Sequence, residues 1–68
     1  MTRNLNIPKM KADAAKAVRV AMSERGLSVY DVTLYGIEPE ALQNIYHNKI
    51  REYSLDQIHS ILGRIIQL

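Results

Sequence analysis

The chain has 68 residues with no Cys and no Trp; 47% are hydrophobic, 24% are charged, and the net charge is +2. That length holds one small domain at most, which excludes a catalytic barrel of roughly 250 residues or a dinucleotide-binding fold of ~150. The composition excludes a disordered polymer, and zero Cys excludes disulfide staples and Cys-ligated zinc, so stability must come from close helix packing or from oligomerisation.

Charge is unevenly distributed along the chain. Residues 1–25 carry Arg3, Lys9, Lys11, Lys16, Arg19 and Arg25 against Asp13 and Glu24, a net +4. Residues 26–48 carry Asp31, Glu38 and Glu40 and no Lys or Arg, a net −3. Residues 49–68 carry Lys49, Arg51 and Arg64 against Glu52 and Asp56, a net +1. A polyanion would be gripped by the front of the chain and by residues 49–51. No apolar run approaches the ~18 residues of a membrane span, so no membrane partner is expected. Residues 1–10 have no apolar core of the kind a secretory signal needs, and the expected location is the cytoplasm.

Residues 1–10 are predicted to form an arm. Asn4, Asn6 and Pro8 interrupt any period, and Leu5 and Ile7 alternate as an extended segment would. The remaining residues, 11–68, are predicted to form the domain.

The first helix is predicted over 11–25, with Ala14, Ala17, Val18, Ala21 and Met22 on one stripe. Gly26 suits a left-handed C-terminal cap. Ser28 and Asp31 form a variant capping box for a short second helix from Val29 to about Tyr35, with Val29, Val32 and Tyr35 inward. Gly36 ends it.

Pro39 suits the first turn of a third helix, with Glu38 and Glu40 at its positive end. Leu42, Ile45 and Tyr46 give its inward face, and Asn48 is a left-handed stop. After a loop over 49–53, Ser54 and Gln57 form a capping box for the fourth helix. Leu55, Ile58, Leu62 and Ile65 line one face of that helix. Ile61, Ile66 and Leu68 are left over, and Gly63 marks a bend or an end. The pattern is all-α, with four helices or five.

This ordered set resembles the helix-turn-helix domains of the phage Cro and repressor class, the Xre family, over Arg19 to Ile65. The residues that carry the resemblance are Glu24-Arg25-Gly26-Leu27-Ser28 and Gly36-Ile37 followed by Glu38-Pro39-Glu40-Ala41-Leu42. Ile45 stands three positions further on. Lys49 and Arg51 stand in the loop, and Ser54-Leu55 continues through Ile58, Leu62 and Ile65. Val29 stands where the family has Gln, Tyr53 stands where it has Pro, and the interval from Leu27 to Gly36 is one residue short.

The resemblance implies a lambda-repressor-like helix-turn-helix fold with a short N-terminal arm. It also implies a sequence-specific transcriptional regulator that binds double-stranded DNA at an inverted-repeat operator as a homodimer. The third helix would then lie in a major groove.

Gln43 and Asn44 would match the N6 and N7 edge of adenine, Glu40 would accept from cytosine N4, and His47 would donate to guanine N7 or a phosphate. Phosphate contacts would fall to Lys11, Lys16, Arg19, Lys49 and Arg51, and to the backbone near Ser28. Ile61, Ile66 and Leu68 would form the dimer interface, setting two third helices about 34 Å apart, or would pack back on the arm.

The plainer alternative is that Gln43, Asn44 and His47 form a solvated face and the scattered Lys and Arg serve solubility. No catalytic residue, metal site or cofactor is expected: His47 and His59 lack partners, and helix starts account for the acids. A different function from the same scaffold is a protein-interaction module, an antirepressor or antitoxin-like inhibitor. It would use the acidic 38–48 segment and the apolar C-terminus against a protein partner.

Overall fold

A computed structural model describes residues 7–68; Leu5 and the rest of the expected arm before Ile7 lie outside the described residues. The described chain is all-helical, with α1 over Ile7–Glu24, α2 over Val29–Thr33, α3 over Pro39–Tyr46 and α4 over Leu55–Ile66.

The arm expected over 1–10 is corrected from Ile7 onward, because α1 begins there rather than at Lys11. Pro8 explains the shift. In the first turn of a helix the missing N–H has no intrahelical partner to lose, and the fixed φ suits the helix. The proline read as an interruption is therefore a helix starter. Along α1 the buried residues are Ala14, Ala15, Val18, Ala21 and Met22. Ala15 joins the stripe, and Ala17 lies at its half-buried flank. Small alanines allow a close approach, and α1 packs most extensively against α4.

Gly26 takes φ +66°. Its N–H donates to the Ser23 carbonyl at 3.1 Å, and the Leu27 N–H donates to the Met22 carbonyl at 2.9 Å. This pair satisfies two end carbonyls of α1 and turns the chain toward α2. The Ser28–Asp31 capping box is present in full. Val29, Val32 and Thr33 are β-branched and favour helix weakly, and α2 stops at Thr33. Tyr35, expected to point inward, is 58% exposed because it falls in the turn beyond the helix. Gly36, at φ +89°, then aims Ile37 into the core. Arg64 Nη2 donates to the Tyr35 carbonyl at 3.3 Å and ties this turn to α4.

Pro39 opens α3, and Leu42 and Ile45 are its buried residues. Asn48 ends it at φ +62°. Its N–H donates to Ile45 at 3.1 Å and the Lys49 N–H donates to Asn44 at 2.7 Å, repeating the pattern seen at Gly26. Ile50 then anchors the loop in the core. The Ser54–Gln57 capping box starts α4, whose Ile58 and Ile65 are fully buried. Leu55, Ile61 and Leu62 pack against them from the edge of the core.

Of the bend or end expected at Gly63, the end does not occur, since α4 runs through to Ile66. An added Cβ at Gly63 would meet nothing within 4 Å, and nothing in the structure explains a glycine there.

Candidate nucleic-acid interface

The buried residues of α3, Leu42 and Ile45, fix which side of this helix faces water. Residues 40, 43, 44 and 47 follow an i, i+3, i+4, i+7 spacing and share the opposite face. Glu40, Gln43 and His47 are exposed, as expected of a reading face. The His47 ring sits edge-on to Tyr46, with centroids 5.5 Å apart and planes at 81°, a favourable aromatic arrangement.

Asn44 differs from the others. It is half-buried, and its Nδ2 donates to the Tyr53 hydroxyl at 2.9 Å across the α3–α4 loop. No motif in the sequence marks Tyr53 as this partner. The two residues are nine apart and on different elements, so no local periodicity pairs them.

Cationic side chains gather at the C-terminal end of α3. Lys49 and Arg51 are exposed in the loop just beyond it. Arg19 reaches across from α1, its Nη1 donating to the Tyr46 carbonyl at 3.3 Å. That places a positive charge where the helix dipole is negative. Lys11 Nζ lies 3.5 Å from the Arg51 carbonyl oxygen, so its ammonium is held beside the same loop.

Two open cavities flank that loop. One, of about 300 Å³, is lined by Asn44, Asn48 and residues 49–53. The other, of about 360 Å³, is lined by Pro8, Lys11, Ala12, Asn48, Ile50 and Arg51. Of the expected phosphate residues, Lys49 and Arg51 thus follow α3 directly, and Arg19 and Lys11 reach carbonyls at its end and in the loop beyond. Lys16 is exposed on the side of α1 away from its buried stripe.

Ser28, the expected backbone phosphate position, is engaged in the α2 capping box. Its backbone N–H already donates to the Asp31 carboxylate at 2.9 Å, and its hydroxyl accepts from the Asp31 N–H at 3.1 Å. The backbone N–H bond to the carboxylate, helped by the Ser28 hydroxyl, holds Asp31 below the ordinary carboxylate range. A carboxylate therefore already stands at the start of α2.

The apolar C-terminus divides. Ile61 is half-buried against the core, whereas Ile66 and Leu68 are 52% and 46% exposed. Arg25 Nη2 donates to the Ile66 carbonyl at 3.2 Å, fixing this end of α4 beside the end of α1. Tyr30 and Leu34, one turn apart, are 71% and 67% exposed, a surface the sequence reading did not single out.

Among the described residues no group of His, Asp or Glu is arranged to hold a metal ion. No described helix is long and apolar enough to cross a membrane. The geometry defines an all-α domain with one amide-bearing helix face bordered by cations. Compared with protein-family models, with curated proteins and with solved structures, the chain matches none.

Proposed function

We propose that this domain is a small sequence-specific DNA-binding regulator of the helix-turn-helix type, reading a major groove with α3. The observation that carries the reading is the exposed Gln43 and His47 on one face of α3, with Lys49 and Arg51 immediately beyond its end. The face is amphipathic in the manner a groove reader needs. Amides and an imidazole address base edges, and cations at one end meet the phosphate backbone. Lys11 and Arg19, held at the end of α3 and the loop beyond it by their contacts to Arg51 and Tyr46, extend the cationic border.

Glu40 is the discriminating acid, able to accept from cytosine and unfavourable beside phosphate. Ile66 and Leu68 supply the apolar surface for a two-fold homodimer on an inverted-repeat operator. In such a dimer, paired reading helices about one helical turn apart meet successive major grooves.

The second reading is a protein-interaction module of the same scaffold. It is favoured by Tyr30 and Leu34, large apolar side chains left mostly in water one turn apart. The acidic stretch from Glu38, with no Lys or Arg before Lys49, points the same way.

Electrophoretic retention on mixed-sequence duplex DNA separates the two. A DNA binder is retained at low salt and released as salt rises, because cations at the phosphates displace counterions. Arg51→Ala is expected to lower that retention and flatten its dependence on salt. No retention even at low salt would reject the DNA reading in favour of the protein partner.

A further inference from the structure

We propose that Tyr53 is a positioning residue for base recognition: its hydroxyl holds the Asn44 amide so that one donor and one acceptor face outward as a fixed pair. The inference rests on the DNA-reading proposal and adds a specificity determinant from outside α3. Asn44 Nδ2 donates to Tyr53 Oη at 2.9 Å. A primary amide carries two N–H donors and one carbonyl acceptor. With one N–H committed to Tyr53, the other N–H and Oδ1 remain, and these are the groups that adenine meets with N7 and N6–H2.

An unrestrained amide would have to lose its side-chain freedom on contact with the base, and here that ordering is already in place. Tyr53 is itself anchored. Its ring packs against the hydrophobic core, and its N–H donates to the Ile50 carbonyl at 3.1 Å. The hydroxyl is thus held by the loop and the core, not by α3. Asn44 also lines the open cavity beside that loop.

The competing role for Tyr53 is structural only, a half-buried ring filling the space between α3 and α4. Tyr53→Phe separates the two, since it keeps the ring and removes only the hydrogen-bond acceptor. Wild type, Tyr53→Phe and Asn44→Ala would each be used to select bound duplexes from a random-sequence pool, with folding checked by circular dichroism. Asn44→Ala is expected to erase the base preference at one position of the half-site. Tyr53→Phe is expected to weaken that same preference by about 2- to 10-fold, the range of one hydrogen bond, and to leave the other positions as in wild type.

A Tyr53→Phe motif identical to wild type would overturn the inference. So would equal weakening at every position, which marks a purely structural role, or an Asn44→Ala motif that loses no single position. If wild type enriches no sequence at all, the DNA-reading proposal itself fails and the inference falls with it. That result is distinct from one in which wild type selects a motif and Tyr53→Phe leaves it untouched.

Discussion

Ile58→Ala is expected to remove a large part of the domain's stability. Ile58 is fully buried on α4, in the core that α1 and α4 share. Truncating a buried isoleucine removes apolar contacts and leaves a cavity, at a cost of about 2–5 kcal/mol. A domain of this length holds only about 3–10 kcal/mol in total, at roughly 0.05–0.15 kcal/mol per residue. The loss is therefore a large fraction of the whole, with no disulfide among the stabilising forces. Urea denaturation followed by far-ultraviolet circular dichroism measures it. A loss below about 1 kcal/mol would mean that Ile58 is not packed as described.

Gln43→Ala is expected to have the largest effect on specific recognition. Gln43 is exposed at the middle of the outward face of α3, and its side-chain amide makes no hydrogen bond among the described residues, so it is available to a base edge. Losing one bidentate base contact costs about 1–3 kcal/mol at a preferred site. Binding to random duplex rests on phosphate contacts and should change little. Titrations against a selected duplex and a scrambled one compare the two. Equal weakening on both would show that Gln43 contributes only to general attraction and reads nothing. Because an exposed side chain carries little of the fold, the same variant should keep its thermal midpoint.

The two variants probe the two levels at which this sequence can be read. Helix boundaries were legible wherever the determining chemistry lies within a few residues. Gly26, Asn48, the Ser28–Asp31 box, Pro39 and the Ser54–Gln57 box all act over one turn and stand where expected. Pro8 was misread because one residue type has two local meanings, breaker and first-turn starter, and only the helix around it decides which applies. Tyr35 was misassigned for a related reason. α2 closes two residues early, so a residue inward by helical spacing falls in the turn.

The outward face of α3 was equally legible, since Leu42 and Ile45 fix the inward side and Gln43 and His47 follow. What periodicity could not give was the wiring across elements. Arg25 and Arg64 reach carbonyls 41 and 29 residues away, and the Asn44 amide meets a tyrosine from the next loop. Such contacts depend on how the helices pack. No spacing in the chain encodes them. The engagement of Ser28 in a capping box was closer to hand. A capping box that satisfies the helix start also fills it with a carboxylate, and both of its residues were visible in the sequence.

Titration of the isotope-labelled domain with a short duplex, followed through its backbone and side-chain amide resonances, asks directly whether α3 is the surface that meets DNA. The expected changes concentrate at Glu40, Gln43, Asn44 and His47 and continue into Lys49 and Arg51, while Tyr30 and Leu34 stay unmoved. Shifts confined to Tyr30 and Leu34, or a spectrum indifferent to DNA at low salt, would contradict the account.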